Sequence, residues 1–462
     1  MPPASLKLRC SSPTSNTPCL HQPSSQPCKA HEHGYDISDE TCGGTCMKIV
    51  IVGGGSSYTP ELVAGFIEHY QTLPLSELYL MDINATRLET LAGLSQRMFK
   101  HASLPVKVTA GANLQPALEN AAFVNCLIRV GGMEARILDE KIPLKYGVIG
   151  QETTGPGGMM KALRTIPRVL EIAAGMQRAC PDAWLINYAN PSGIIAEALG
   201  KYGGVRFVGL CSGPKGWIET ILHRMGASPE RANVDWIGLN HLGFAIRVWV
   251  DGMDCTNQAI EAAAQEWSVD GEWMRTLGAI PASYLRYYYH TEKVVKELQQ
   301  PGRKTRGEQV KEIEAELLQQ YANPDLHEKP ELLKQRGGGG YADVAIAAME
   351  SIYHNRGERQ IIQALNQGAV DGIPADASVE LACLVDRAGT HPIRIGEIPL
   401  PIRGLIQAVK AYESLTIQAA VEGSPRIAMQ ALMAHPLTPS WETAKPLLAE
   451  LLQANREWIP WV

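Results

Sequence analysis

The sequence predicts an α/β protein: a doubly wound, Rossmann-like domain followed by a mixed α+β, helix-rich C-terminal domain. Three observations carry this expectation. Apolar, strand-like runs alternate with helical patterns from Met47 to about residue 233, which points to a doubly wound sheet. The first run, MKIVIV, ends in Gly53-Gly54-Gly55-Ser56, where glycine lets backbone amides approach a pyrophosphate at a helix N-terminus. From residue 234 the texture changes to an alternating, Gly-joined stretch, VDWIGLNHLGFAIRVWVDG, and then to long helical patterns.

The elements follow in order. MKIVIV is continuously apolar, as a buried parallel strand should be. Thr59 reads as an N-cap and Pro60 as the first residue of a helix reaching about Tyr70. SELYLMDI is a second strand, ATRLETLAGLSQRMFKHA a helix, 106–110 a third strand, LQPALENA a helix and AFVNCLIRVGG a fourth strand. TIPRVLEIAAGMQRAC, AWLINYANP, GIIAEALGKY and RFVGLC continue as helix, strand, helix and strand. In the second half YLRYYYHTEKVVKEL, QVKEIEAELLQQY, YADVAIAAMESIYH and GLIQAVKAYESLTIQAAVEG read as helices.

Residues 1–46 are set apart from this body. They are rich in Ser, Pro, Thr and Cys and lack Phe and Trp, so they bury too little apolar surface to offset their ordering entropy. We expect a disordered extension there, a dinucleotide-binding domain over 47–233 and a catalytic and oligomerisation domain over 234–462. A metal knuckle of Cys42, Cys46, His31 and His33 is the other reading of the extension, but the spacings fit no standard zinc pattern. No apolar run suits a secretory signal. Nor does any run of about 18 apolar residues suggest a membrane span. The net charge of −6 argues against nucleic acid as a partner. Five of the ten cysteines lie in the first 46 residues and the others are scattered. No disulfide scaffold is implied, and a cytoplasmic setting is expected.

Several residues carry chemistry at predicted strand ends, where open α/β sheets place their ligand crevice. In the nucleotide turn, Tyr58 takes the place of the third glycine of G-x-G-x-x-G. Asp82 ends the second strand and is placed for a ribose diol, favouring NAD over NADP, although Arg87 nearby leaves that choice open. Arg136, Glu152, Asn187, Asn190, Cys211 and His241 all follow strands or Gly-rich loops. A Cys211 thiolate and a His241 imidazole could share a divalent metal, with substrate and water completing the sphere. Each is equally at home as a core residue. Tyr284, in PASYLRYYYHTEK, could act as a base if positive charge lowered its usual pKa of about 10. Aromatic packing would explain it too. Arg303, Lys304 and Arg306 suit a phosphate by charge-assisted bonds, or are a solvated charge run.

These segments together resemble glycoside hydrolase family 4, the NAD- and metal-dependent glycosidases. The carriers are IVGGGSSYTPEL, RVGGMEARILDEKIPLKYGVIGQETTGPGG, ALRTIP, INYANP, GLC, GLNHLGF, YLRYYY, TRGEQV and GLIQAVKAYESLTIQAAVEG, spread from Met47 to Val462. The resemblance implies an elimination mechanism rather than two-carboxylate hydrolysis. Hydride passes from sugar C3 to NAD⁺, the resulting ketone acidifies the C2 proton, and a Tyr removes it. The aglycone leaves C1, water adds, and the ketone is reduced again.

Carried onto this chain, the resemblance gives Tyr284 as the base and Glu152 as the acidic position that raises its basicity. Cys211 and His241 become the ligands of a metal, usually Mn²⁺. Arg136, Asn190 and Arg306 become the substrate contacts. The residue after the metal Cys is commonly Asp in α-glycosidase members and Asn in 6-phospho-β-glucosidase members. Here it is Ser212, which leaves protonation of the leaving group unassigned. GGGG at 337–340 is also unusually glycine-rich. The expected substrate is a 6-phospho-β-glucoside such as cellobiose 6′-phosphate, handled by a homodimer or homotetramer. The alternatives are an α-linked or non-phosphorylated substrate in the same family, a lactate/malate-type dehydrogenase, or a non-catalytic NAD-binding regulator.

Overall fold

Six short, apolar strands build the centre of the protein: β1 (Met47–Val52), β2 (Leu75–Met81), β3 (Lys107–Gly111), β4 (Phe123–Cys126), β5 (Trp184–Asn187) and β6 (Arg206–Gly209). All pair in parallel. Their order is β3-β2-β1-β4-β5-β6, the doubly wound arrangement whose switch point lies between β1 and β4. Strands such as β4 and β5 are buried along their whole length because helices cover both faces. The structure, a computed structural model, describes residues 47–462 apart from 268, 338 and 460. The expected extension 1–46 lies outside the described residues.

After β6 the chain forms a hairpin of β7 (Ala232–Leu239) and β8 (Leu242–Val250). Two small strands, β9 (Met253–Asp254) and β10 (Ile280–Pro281), pair with β8. The chain then returns to the first sheet. β11 (Glu358–Leu365) and β13 (Ser378–Val385) pair antiparallel, β14 (Thr390–Pro392) adds an edge, and β11 docks on β6. The main sheet therefore has nine strands, running on across residue 233. Glycine makes that joint possible: a Cβ on Gly209 would stand 2.9 Å from the Cβ of Gln363. β12 (Val370–Asp371) and β15 (Gly396–Glu397) pair separately. Among the described residues no helix is long and apolar enough to cross a membrane.

Several local expectations need correction. Thr59 is the first residue of its helix and Tyr58 is the N-cap; the Thr59 hydroxyl donates to the Gly54 carbonyl instead of accepting from a helix amide. AFVNCLIRVGG leaves the sheet at Cys126, and an unforeseen helix runs over Gly132–Lys145. YLRYYYHTEKVVKEL is not one helix. It is a 3₁₀ turn, Ser283–Leu285, and two short helices, Arg286–Tyr289 and Thr291–Leu298. The Thr291 hydroxyl donates to the carbonyls of Tyr287 and Tyr288, offering that backbone a competing partner.

Candidate active site

The C-terminal ends of the parallel strands open into one cleft of about 1380 Å³, lined by Asp82, Arg87, Arg136, Glu152, Asn190, Cys211, His241, Tyr284 and Arg306. Residues from both halves of the sequence thus meet at the topological switch point. Gly53, Gly55 and Ser56 line its nucleotide end. Asn187 does not join them: its side-chain amide turns back onto Ala189.

The glycine turn is held in place from several sides. Gly53 adopts φ +90°, and a Cβ there would stand 2.8 Å from the Leu127 carbonyl carbon. Gly53 and Gly54 both donate to the Met81 carbonyl. Asp82 Oδ2 accepts from the Gly55 amide at 2.9 Å, while Arg87 Nε donates to the Gly55 carbonyl at 2.8 Å. The acid and the base expected to choose between NAD and NADP therefore also clamp the two sides of one residue. Tyr58, in place of the third glycine, lies 4.2 Å beneath the Arg336 guanidinium and packs on Tyr341.

Glu152 sits in a cage of cations. Arg129 Nη1 and Lys161 Nζ reach Oε2 at 2.5 and 2.6 Å, and Arg136 Nη1 reaches Oε1 at 3.0 Å. Burial opposes ionisation, but Arg129, Arg136 and Lys161 together hold this carboxyl well below the usual range. Arg136 also donates through Nε to Glu140 at 2.8 Å. Glu140 in turn accepts from the Gly307 amide at 2.6 Å, tying the cage to the start of the helix Arg306–Tyr321. Arg306 Nη2 donates to the carbonyls of Gln335 and Arg336, so it braces the chain just before Gly337.

Cys211 and His241 reach the cleft from different supports. Cys211 follows β6, and Ser212 then N-caps the helix Gly213–Arg224 without a side-chain capping bond. Asn240 and His241 form the two-residue loop of the β7–β8 hairpin, with His241 at φ +64°. A non-glycine residue held there is strained, as functional residues often are. Thr153 Oγ1 engages His241 Nδ1 at 2.7 Å. Burial lowers the imidazole pKa to about 4, keeping it neutral, and pushes the Cys211 thiol up to about 12. The Tyr284 ring stacks flat on His241, with centroids 3.8 Å apart and planes 3° apart. Burial, then the Cys211 sulfur, raises its phenol well above 10, with Glu152 acting in the same direction.

Arg129, Lys161 and Thr153 were not picked out from the sequence. Lys161 could have been, since it is a lone ammonium in GGMMKAL, an otherwise apolar helical stretch. Arg129 stands just beyond a strand end, and Thr153 belongs to the same Gly-rich loop as Glu152.

Comparison with known proteins places this site in a family. The family 4 glycosyl hydrolase profile matches residues 48–227, and the family 4 glycosyl hydrolase C-terminal domain profile matches residues 236–438. A probable 6-phospho-β-glucosidase of Bacillus subtilis is 40% identical over 90% of this chain and 97% of its own. The 6-phospho-β-glucosidase of Escherichia coli is 36% identical over 90% and 96%. The 6-phospho-β-glucosidase of Thermotoga maritima, solved with manganese, NAD⁺ and glucose 6-phosphate, is 35% identical with a TM-score of 0.83, covering 89% of this chain and 99% of that one. The chain belongs to the family 4 glycosyl hydrolases.

Proposed function

We propose that this protein hydrolyses 6-phospho-β-glucosides, such as cellobiose 6′-phosphate, by oxidation, elimination, addition and reduction, with NAD and Mn²⁺ or another divalent metal. One observation carries the reading above the others: the glycine turn, Cys211, His241 and Tyr284 face a single cleft. The relatives' substrates and the NAD, manganese and glucose 6-phosphate held by the Thermotoga enzyme support it. We assign 47–233 to dinucleotide binding and 234–462 to catalysis and oligomerisation.

The residues present suit both groups. The Gly53–Ser56 turn leaves room for a pyrophosphate, and Asp82 stands beside it for the ribose. Cys211 Sγ and His241 Nε2 are the two donors for a metal, since Thr153 takes Nδ1. No cluster of three or more His, Cys, Asp or Glu suited to a metal occurs among the described residues, so substrate oxygens complete the set. When bound, NAD⁺ supplies a hydride acceptor and the metal a Lewis acid.

The remaining tasks belong to side chains. Tyr284 Oη takes the C2 proton, with its ring fixed by the His241 stack. Burial raises the phenol pKa, so positive charge held beside His241 would be what makes it a base near neutral pH. Arg136, Asn190 and Arg306 contact the substrate, the two arginines helping to hold its phosphate. Ser212 cannot replace a carboxylic acid, so protonation of the leaving group falls to water or to another group of the cleft.

The −6 net charge and the absence of disulfides among the five described cysteines support a cytoplasmic enzyme with no nucleic-acid or membrane partner. A homodimer or homotetramer is what the family resemblance implies. The test is hydrolysis of p-nitrophenyl β-glucoside 6-phosphate with NAD⁺, Mn²⁺ and a thiol, each omitted in turn. Loss of activity at every omission is expected. Turnover without NAD⁺, or only of α-linked or unphosphorylated substrates, contradicts the reading.

A further inference from the structure

We propose that Lys161 is the catalytic base that accepts the proton of the sugar C3 hydroxyl during oxidation and returns it in the closing reduction. The inference rests on the redox reading above. Oxidising an alcohol by hydride transfer releases a proton as well as a hydride. R₂CH–OH, NAD⁺ and the Lys161 amine become R₂C=O, NADH and the Lys161 ammonium. The C–H bond leaves with its electron pair to NAD⁺, and the O–H proton moves to Nζ. The last step runs the same exchange backwards.

The geometry singles out this lysine. Lys161 lies on the helix Gly155–Ala179, is buried, and lines the cleft. Its Nζ stands 2.6 Å from Glu152 Oε2, the same oxygen that takes Arg129 at 2.5 Å. Arg136 occupies the other oxygen at 3.0 Å. Three cations therefore crowd one carboxylate, and a guanidinium does not give up its proton in a protein. Lys161 is the member of the three that can be neutral.

The surrounding charges set its affinity for the proton. Burial first, then Arg129, and to a lesser degree Arg136, lower the ammonium pKa to about 7 against the pull of Glu152. Asp139, which is paired with Arg164, also feels the Lys161 charge. So does His241, whose imidazole is neutral. Once Lys161 has taken a proton, Glu152 stabilises the new ammonium directly. The pair is thus a proton reservoir tuned near neutrality, the best place for a base that must both take and return a proton.

Two measurements test this. In the full chain labelled with ¹³C-lysine, the resonance lost in Lys161→Arg should titrate near neutral pH, well below the usual lysine value of about 10. A titration near that usual value overturns the proposal without reference to activity. With NAD⁺, Mn²⁺ and p-nitrophenyl β-glucoside 6-phosphate, Lys161→Ala should lose about 10²- to 10⁴-fold in kcat. It should also lose the acid limb of the pH profile and regain rate with added ethylamine, while binding NAD as before. Lys161→Arg keeps the charge and should be as slow, without amine rescue. Undiminished kcat in either variant, or an unchanged acid limb in Lys161→Ala, overturns the proposal. If Lys161→Ala fails to bind NAD, Lys161→Arg and the titration decide. If the wild type hydrolyses without NAD⁺, the redox reading itself falls and takes this proposal with it.

Discussion

The two ends of the cleft are prepared in opposite ways. At the nucleotide end, every named polar contact is already satisfied: Asp82 and Arg87 clamp Gly55, and the turn's amides donate to Met81. At the sugar end the groups are held in the wrong charge state for the work proposed. The Cys211 thiol is pushed up to about 12 and the Tyr284 phenol is raised well above its usual value. Glu380 on β13, whose charge acts on Cys211, is buried with one carboxyl oxygen unpartnered. A preformed end binds with little rearrangement. At a desolvated end, a thiol and a phenol ionise near neutral pH only beside a cation.

Breaking the sugar end should have the largest effect. Tyr284→Phe and Cys211→Ser are each expected to lower kcat by roughly 10²- to 10⁴-fold, while NAD affinity measured by calorimetry stays as in the wild type. A comparable loss of NAD affinity would show that the two ends are not separable. Breaking the nucleotide end should be milder and of the other kind. Asp82→Ala removes a charge-assisted bond to the Gly55 amide, so the NAD dissociation constant should rise about tenfold with kcat at saturating NAD unchanged.

The smallest effect concerns stability. Burial raises the Glu380 carboxyl to about 8 from its ordinary 4.5. The folded protein thus holds this proton more tightly than the unfolded chain. Its stabilising contribution is complete below pH 4.5 and is lost as pH rises to about 8. Glu380→Gln should flatten that part of the Tm–pH profile, raising Tm at pH 8.5 relative to the wild type. An unchanged profile would mean that Glu380 is not buried as an acid.

How much of this could be read from the sequence follows the same division. The nucleotide end is local. A strand, a glycine turn and a helix are consecutive, and Asp82 lies one strand away, so period and turn chemistry expose them. The sugar end is assembled from distant segments. Cys211, His241 and Tyr284 stand out locally only as candidates with equally good core readings, and the family resemblance gives them their roles, because no spacing rule connects a strand end, a hairpin loop and a 3₁₀ turn. The cage around Glu152 was hidden further, since Arg129 and Lys161 become meaningful only when the helix Gly155–Ala179 packs beside the loop after β4. The nine-stranded sheet escaped for a similar reason. β11, β13 and β14 lie some 150 residues after β6 and read locally as fragments between long helices. The docking of β11 on β6 runs through Gly209, where the missing Cβ lets Gln363 approach.

The central claim is that Tyr284 strips a proton from C2 during hydrolysis. It is tested most directly by turnover of p-nitrophenyl β-glucoside 6-phosphate in D₂O, with C2 of the glucose 6-phosphate product examined by NMR and mass spectrometry. The account predicts solvent deuterium at C2, with none incorporated in the absence of NAD⁺. Efficient hydrolysis that leaves C2 entirely protiated would contradict it.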